Sequence, residues 1–271
     1  MYSSKFLNKK IALITGASSG IGESIARKLS QEGMKVILVA RREDRLAKLS
    51  NEINVSGGDS VYYSIDLSNE IERIKLWHNL SQKNILPDIL VNNAGIGWYG
   101  YFFDMPWSTA QDLLSLNIEA MVHLTRLALP IMLSRHYGHI INIGSISGKL
   151  PEQGIALYSS SKNFMDSFTT VLFRELVGTN VHISVIRAGP IKTEFFDSAR
   201  KLENGGSIPA EKMATSSSSV SNKVWKLMQK PLKIAYVPFW TALSPLLEVL
   251  FHWVIDLIGP LLLNKKKQNR E

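Results

Sequence analysis

The sequence contains no cysteine among its 271 residues. This absence excludes a disulfide framework, a thiolate nucleophile and a zinc site built from cysteines, and it fits a reducing compartment. Residues 1–10 also lack the apolar region of a secretory signal, because the first apolar run begins at Ile11 and ends in glycines. We therefore expect a protein that is not secreted.

The positive charge of the chain has no nucleic-acid-reading motif beside it. The net charge is +8, and part of the excess lies at the C-terminus, in Lys265, Lys266, Lys267 and Arg270. Because no base-reading module accompanies these residues, we expect no nucleic-acid partner. The length and the 45% hydrophobic content indicate one large globular α/β domain.

A glycine-rich turn follows the first apolar run, and an amphipathic pattern continues from the turn to Gly33. A strand, glycine turn and helix in this order allow the backbone to approach a pyrophosphate, with the helix N-terminus facing the anion. An ordinary surface loop is the alternative. We expect cofactor contacts from Gly16, Ser18, Ser19, Gly20, Ile21 and Gly22.

The second predicted strand, residues 35–40, leads directly into Arg41 and Arg42. An acidic residue at the end of this strand binds the ribose 2'-hydroxyl of NAD, whereas an arginine there accommodates the 2'-phosphate of NADP. The sequence therefore favours NADP. Glu43 or Asp44 could instead bind the ribose, but both fit the first turn of the next helix, where acidic side chains favour the helix dipole.

Strand and helix patterns alternate along most of the chain. Further strands are predicted at residues 61–65, 89–91, 139–144, 181–187 and 233–237, and helices at residues 69–82, 108–135, 156–177 and 220–229. This alternation predicts an α/β fold, a doubly wound parallel sheet of about seven strands with helices on both faces. An aromatic loop at residues 97–106 then either lines a ligand crevice or packs in the core beneath a helix.

Tyr158 and Lys162 are four residues apart in a predicted helix and so share one face. Lowering the pKa of a phenol from near 10 to about 7 requires about 4 kcal/mol. A positive charge roughly 4 Å away supplies about that much at an effective dielectric constant of about 20. The pair therefore suggests a tuned acid/base, although a surface tyrosine beside a surface lysine gives the same spacing.

Five motifs together resemble the short-chain dehydrogenase/reductase superfamily, with its Rossmann-type fold, over about residues 10–237. They are Thr15-Gly16-x-x-x-Gly20-Ile21-Gly22, Asn92-Asn93-Ala94-Gly95, Asn117, Ser145 and Tyr158-x-x-x-Lys162. The resemblance implies that Tyr158 is the general acid/base and that Ser145 holds the substrate oxygen. It further implies that Lys162 binds the nicotinamide ribose and lowers the phenol pKa, and that Asn117 positions a water in the proton relay.

The resemblance also implies further contacts to the cofactor. Asp66 and Asn92 would lie near the adenosine half, and Thr193 near the carboxamide. The full set of additional contacts is Asp66, Leu67, Asn93, Ala94, Gly95, Gly189, Ile191 and Thr193. The family usually has Pro-Gly after the sixth strand, whereas this chain has Ala188-Gly189-Pro190, so the local shape of the nicotinamide pocket should differ. The family also implies a homodimer or homotetramer that pairs the two long helices.

Helical periodicity weakens at about residues 191–219, where Asn204 to Ser207 form a flexible turn and residues 215–219 are polar. This segment resembles the family's substrate lid, which orders on binding. A disordered surface loop is the alternative.

Residues 238–271 form a hydrophobic tail with a basic end. Glu248, His252 and Asp256 form one polar stripe at intervals of four, and Pro245 and Pro260 interrupt the helix. The acidic side chains make full insertion into a bilayer marginal. We therefore expect an interfacial or re-entrant segment whose lysines contact anionic headgroups. The alternatives are a true membrane span and packing of the tail against the domain or a subunit. We do not expect the three polar residues to form a metal or catalytic cluster.

These observations predict an NADP(H)-dependent reductase of a lipophilic carbonyl compound, such as a long-chain 3-oxoacyl group, a 3-ketosphingoid base, a steroid or a retinoid. Residues 1–237 would form the catalytic domain, and residues 238–271 would bind the cytoplasmic side of a membrane. A soluble reductase of small polar carbonyls and a non-catalytic NADP-binding scaffold are the alternatives.

Overall fold

The parallel β-sheet forms the centre of the molecule. The computed structural model describes residues 2–206, 211 and 213–264. All seven strands of the sheet are parallel, in the order β3-β2-β1-β4-β5-β6-β7. The strands are β1 (Ile11–Thr15), β2 (Lys35–Ala40), β3 (Asp59–Ser64), β4 (Ile89–Asn92), β5 (Gly138–Ser145), β6 (Val181–Ala188) and β7 (Ile234–Val237).

Helices cover both faces of the sheet. In the described part of the chain they are α1 (Ser4–Leu7), α2 (Gly20–Gln31), α3 (Glu43–Val55), α4 (Glu70–Gln82), α5 (Trp107–Leu114), α6 (Ala120–Ser134), α7 (Ala156–Glu175), α8 (Phe195–Lys201), α9 (Ser217–Gln229) and α10 (Ser244–Asn264). Successive strand residues point to opposite faces, so Ile14 packs with α2, α3 and α9, while Leu13 packs with α4, α6 and α7. Two covered faces explain why the central strands are almost continuously apolar.

The sheet has its topological switch point between β1 and β4. The chain proceeds outward from β1 through β2 to β3, then returns to β4 on the other side of β1. Ligands of open α/β sheets bind in the crevice at the carboxyl ends of the strands beside such a point. The segments that follow β1, β4 and β5 therefore meet at one edge.

Most elements lie close to their predicted positions, with three local differences. The helix expected at residues 108–135 contains a π-helical segment, Ser115–Glu119, between α5 and α6. The polar run expected in the lid at residues 215–219 partly belongs to α9, since Ser216 caps that helix with its side chain. Within the lid, Phe195–Lys201 forms the short helix α8.

The tail differs from the expectation in two ways. Pro245 lies in the first turn of α10, where a proline is well tolerated, and the helix continues past residue 260, so the prolines do not interrupt it. Instead, α10 is kinked at Phe251, whose φ is −128°. The kink breaks the predicted polar stripe: Glu248 is partly buried, whereas His252 and Asp256 are exposed.

Within the described ranges, two helical stretches are long and apolar enough to cross a membrane by length and composition. They are Trp107–Ser134 and Phe239–Gly259, and the apolar 18-residue windows within them are 39% and 11% buried in the fold. The first is therefore a core helix of the domain, and the second is largely uncovered. The basic residues Lys265, Lys266, Lys267 and Arg270, as well as Ser207, lie outside the described residues.

Candidate active site

The glycine turn between β1 and α2 has the tight geometry that its sequence predicts. Gly16 and Gly20 have positive φ angles of 66° and 59°, a region that favours glycine. A Cβ atom on Gly22 would lie 2.2 Å from the Gly16 carbonyl oxygen. Gly22 therefore packs beneath the turn, while the other five predicted residues of the turn line the adjacent cavity.

Asn93 joins the end of β4 to the glycine turn. Its side-chain nitrogen donates to the Thr15 carbonyl oxygen at 2.8 Å, and its backbone N–H donates to the Thr15 hydroxyl at 2.8 Å. The Thr15 hydroxyl in turn donates to the Val91 carbonyl at 3.2 Å. These bonds fix the floor of the crevice, where Ala94 and Gly95 line the cavity.

The first turn of α2 is a favourable site for an anion. The N-cap residue Ser19 makes no side-chain capping hydrogen bond, which leaves the N–H groups of the first turn without that partner. Arg42 approaches the same place: its Nη2 atom lies 2.6 Å from the Ser19 hydroxyl and 3.0 Å from the Ser18 hydroxyl. Arg41 is exposed and also lines the cavity. The turn and its arginines therefore fit the phosphate groups of a dinucleotide.

Glu43 and Asp44, the alternative ribose ligands, lie in the first turn of α3, as their sequence position suggested. Asp66 and Leu67, at the end of β3, line the cavity, and the Asp66 carboxylate accepts hydrogen bonds from the backbone and side chain of Ser68. This end of the crevice is therefore bounded by the segments that follow β2 and β3.

Tyr158 of α7 and Ser145 at the end of β5 lie next to each other in the cavity. Burial raises the pKa of Tyr158 to about 12, and its hydrogen bond with the Ser145 side chain acts in the opposite direction. The Ser145 hydroxyl also accepts a hydrogen bond from the Ser147 N–H at 3.1 Å. The phenol is therefore protonated at neutral pH and held beside a second hydroxyl group.

The predicted lowering of the phenol pKa by Lys162 is not found, because burial raises the pKa of Tyr158 and the hydrogen bond with Ser145 opposes that shift only in part. The Lys162 ammonium lies 5.7 Å from the centre of the Tyr158 ring and donates to the Ile143 carbonyl at 3.0 Å. Burial lowers the pKa of Lys162 itself to about 8, and the charge of Asp166 opposes this shift. Desolvation is the largest influence on the pKa of both groups, and a surface-like dielectric constant leaves this cost out.

Asn117 occupies the π-helical segment and is fully buried. Its side-chain oxygen accepts from the Ile96 N–H at 2.9 Å, and its nitrogen donates to the Ile96 carbonyl at 3.0 Å and to the Ser161 hydroxyl at 3.2 Å. The side chain does not line the cavity; it holds the segment that follows Gly95 against α7. Its role in a proton relay stays a prediction.

Asn92 does not lie near the adenosine half, contrary to the expectation. Its side-chain nitrogen donates to the Asn142 side-chain oxygen at 2.9 Å and to the Thr125 hydroxyl at 3.3 Å, inside the protein. It is the last residue of β4, and strand alternation directs its side chain away from the crevice.

A single cavity of about 460 Å³ joins these groups. The predicted residues that line it are Gly16, Ser18, Ser19, Gly20, Ile21, Arg41, Arg42, Asp66, Leu67, Asn93, Ala94, Gly95, Ser145, Tyr158, Lys162, Gly189, Ile191 and Thr193. Gly22, Asn92 and Asn117 support its walls. The unusual Ala188-Gly189-Pro190 sequence also lines the cavity, and the Gly189 N–H donates to the Val237 carbonyl at 2.7 Å.

The aromatic loop contributes less to the cavity than one of its two interpretations predicted. Trp98 lines it and donates from its ring nitrogen to the Glu203 carbonyl at 3.0 Å, whereas Tyr99 is buried. Phe102 and Phe103 are exposed. The loop therefore packs against the lid segment and is partly open to solvent.

Several lining residues were missed by the sequence interpretation. The Phe195 ring lies 5.5 Å from the Tyr158 ring, and Glu152 and Glu194 also border the cavity. Burial raises the pKa of Glu152. Glu152 lies in a connecting segment, and Glu194 and Phe195 begin the short helix α8, where no periodicity or motif distinguishes them. The available signal was that Glu194 and Phe195 directly follow Thr193.

A sequence model described as short chain dehydrogenase matches residues 10–204. The chain is 34% identical over 224 residues to the ketoacyl reductase HetN of Nostoc sp. (strain PCC 7120), covering 82% of this chain and 76% of the relative. It is also 34% identical over 240 residues to the NADP-dependent 3-hydroxy acid dehydrogenase YdfG of Escherichia coli (strain K12), covering 83% of this chain and 91% of the relative.

Among solved structures, a metagenomic short-chain oxidoreductase in complex with NADP aligns with a TM-score of 0.73 at 30% identity. The alignment covers 86% of this chain and 96% of that chain. Together with the parallel sheet and the matched sequence, this similarity shows that the chain belongs to the short-chain dehydrogenase family of oxidoreductases.

Proposed function

We propose that this protein is an NADP(H)-dependent reductase that converts a ketone on a lipophilic substrate into a secondary alcohol. The observation that carries the proposal is the gathering of the Tyr158 phenol, the Ser145 hydroxyl and the Lys162 ammonium in one cavity with the glycine turn. A site that moves a proton at a carbonyl oxygen needs such donors beside the cofactor.

NADP is the cofactor that the site fits best. Arg41 and Arg42 border the cavity at the end of β2, where an arginine suits a 2'-phosphate. One relative is named an NADP-dependent dehydrogenase, and one similar structure is a complex with NADP. When bound, the nicotinamide ring supplies a hydride to the carbonyl carbon.

Tyr158 is the proton donor in this proposal. Because burial raises its pKa to about 12, the phenol carries its proton at neutral pH and can give it to the carbonyl oxygen during reduction. Ser145, which hydrogen-bonds with the phenol, is placed to hold the same oxygen. The Lys162 ammonium lies 5.7 Å from the centre of the Tyr158 ring, and solvent returns a proton to the phenolate that is left after proton transfer.

The tail supports a lipophilic substrate because it lies beside the loop between Ser145 and Tyr158. The Gln153 side chain donates to the Ile255 carbonyl at 3.2 Å, and Gly259 leaves the space that this side chain occupies. The neighbouring residue Gly154 accepts a hydrogen bond from Gly100 of the aromatic loop at 2.9 Å. The tail and the aromatic loop therefore adjoin the same rim of the cavity.

The proposed membrane surface consists of the exposed apolar side chains of the tail. They are Phe239, Trp240, Leu243, Leu246, Leu247, Val249, Leu250, Phe251, Trp253, Leu257 and Ile258. An exposed apolar patch of this size marks an interaction site, and lysines that follow it suit anionic headgroups. We propose that residues 238–271 bind the cytoplasmic face of a bilayer, that residues 1–237 form the catalytic domain, and that residues 191–219 form its lid.

We further propose a homodimer that pairs α7 of two subunits. Phe164 and Val171 are exposed on one face of this helix, and the Phe164 ring stacks on Phe168 with centroids 6.1 Å apart. Sedimentation velocity in detergent measures the oligomeric state. A monomer would contradict this arrangement, and a tetramer would require a second interface.

The test of the catalytic proposal is NADPH oxidation by the intact protein in mild detergent, with ketones and 3-oxoacyl thioesters of increasing chain length. We expect turnover to rise with chain length. Tyr158→Phe should lower kcat at least 100-fold while NADPH affinity changes little, because the phenol proton is required for chemistry. Tyr62→Phe, at an exposed tyrosine of β3, is the matched control.

Three results would contradict parts of this proposal. Activity confined to short polar carbonyls would exclude the lipophilic substrate, and full activity of Tyr158→Phe would exclude the assigned acid. Tight NADPH binding without turnover of any carbonyl compound would instead favour a cofactor-binding scaffold.

A further inference from the structure

Glu194 makes a charged contact between the lid and the nucleotide-binding half of the domain. It is the N-cap residue of α8, immediately after Thr193. One of its carboxylate oxygens lies 2.7 Å from Arg42 Nη1, and both oxygens lie 2.7 Å from Arg45 Nη1. The contact joins residues 152 positions apart in the sequence.

The same arginine also contacts the glycine turn. Arg42 donates from Nε and Nη2 to the Ser18 hydroxyl and from Nη2 to the Ser19 hydroxyl. All three of its guanidinium nitrogens are therefore engaged, and the Nη1 side faces Glu194. Arg42, Ser18, Ser19 and Glu194 all line the cofactor cavity.

The carboxylate of Glu194 therefore occupies the side of Arg42 on which a phosphate group would bind. The guanidinium fork binds carboxylate and phosphate oxygens in the same geometry. The end of β2 is also where dinucleotide folds hold the ribose 2'-position. A 2'-phosphate at Arg42 must displace Glu194 or approach its negative charge closely.

We propose that Glu194 is a specificity-determining residue that competes with the 2'-phosphate of NADP for Arg42. The hydrogen bonds from Arg45 and Arg42 hold the pKa of Glu194 below its usual range, so the competitor is anionic at neutral pH. Arg45, which contacts both carboxylate oxygens, retains Glu194 when Arg42 turns to the phosphate.

The pair is solvent-exposed, so its effect on affinity is moderate. The Arg42 and Glu194 side chains are 41% and 45% exposed. Exposed ion pairs of this kind change an equilibrium by up to about fivefold, and removal of a charge beside a divalent phosphate adds to that effect. We expect Glu194→Gln to tighten binding of a 2'-phosphorylated nucleotide about three- to tenfold.

The experiment measures calorimetric dissociation constants of 2',5'-ADP and 5'-AMP for the full chain in detergent. These probes differ only in the 2'-phosphate. Neither carries a nicotinamide ring, so contacts between that ring and the lid do not affect the comparison. Glu194→Gln should tighten 2',5'-ADP alone. Asp197→Asn is the matched control, since it removes the same charge from α8 at a residue that pairs with Arg200 instead.

A double-mutant cycle assigns the effect to Arg42. In an Arg42→Met background, Glu194→Gln should tighten 2',5'-ADP binding markedly less than it does with Arg42 present, because the competition for the shared partner is gone. Equal tightening of both nucleotides would show a general charge effect and overturn the proposal. Weaker 2',5'-ADP binding by Glu194→Gln would overturn it as well. These two results would leave the NADP assignment intact. If no variant preferred 2',5'-ADP over 5'-AMP, both the proposal and the NADP assignment would be contradicted.

Discussion

Replacement of Lys162 by methionine should stabilise the fold while abolishing the proposed activity. Lys162 is 6% exposed, and its ammonium contacts the Ile143 carbonyl in the wall of the cavity. A buried ammonium is costly because it has lost its hydration. Methionine has a similar length and no charge, so it fills the same space without that cost.

The magnitude follows from the shifted pKa of Lys162. Burial lowers this pKa from 10.5 to about 8. At about 1.4 kcal/mol per pH unit, the charged lysine lowers the free energy of unfolding by about 3 kcal/mol at pH 7. Loss of the hydrogen bond to Ile143 costs about 1 kcal/mol, so the net gain from Lys162→Met is about 2 kcal/mol.

The shifted pKa also determines how the destabilisation by Lys162 changes with pH. Because the folded pKa is lower than the unfolded value, the destabilisation is complete below about pH 8 and disappears as the pH rises to the unfolded value of 10.5. The advantage of the variant should therefore decrease above pH 8 and vanish near pH 10.

Urea unfolding of both proteins at pH 7, 9 and 10 measures this difference, and comparison at equal pH cancels the titration of other groups. Lys75→Met, at an exposed lysine of α4, is the control and should change the free energy of unfolding by less than about 0.5 kcal/mol. A Lys162→Met protein that is less stable than the wild type at pH 7, or whose advantage does not depend on pH, would refute the reasoning.

Two further predictions concern the glycine turn and the tail. Gly22→Ala should weaken NADP binding at least tenfold by calorimetry, since its Cβ would lie 2.2 Å from the Gly16 carbonyl oxygen. Gly57→Ala is the control: its φ of 85° strains the backbone locally, but its Cβ meets nothing within 4 Å and Gly57 does not line the cavity, so NADP affinity should be kept. Replacement of both Leu250 and Trp253 by glutamate should reduce co-sedimentation with anionic vesicles at least tenfold, because each exposed apolar side chain buried in a membrane contributes about 1.5–3 kcal/mol. His252→Gln, on the same helix, should sediment normally; unchanged binding of the double variant would contradict the proposed membrane surface.

The fold and the floor of the site were predictable because they depend on local sequence patterns. Continuous apolar runs separated by amphipathic segments specify a parallel sheet covered on both faces, and Gly16 and Gly20 are required where the turn has positive φ. The aromatic loop left two interpretations open, since Trp98 and Phe103 look alike in a sequence although one is buried and the other exposed.

The errors have separate physical causes. The pKa of the Tyr158 phenol was expected to fall because of the positive charge of Lys162, whereas burial of the phenol raises it. The polar stripe of the tail was expected to be continuous because an ideal helix was assumed, whereas the kink at Phe251 changes the direction of the following residues.

The sequence by itself determined the order of the strands and helices, the glycine turn and the spacing of Tyr158 and Lys162, because each depends on residues close together in the chain. Tertiary structure alone decided that Glu194 meets Arg42, that Gln153 contacts the tail, and that Tyr158 and Lys162 are desolvated in one cavity. Contacts between segments more than 100 residues apart, and the dielectric environment that they create, arise only when the sheet brings those segments to one edge.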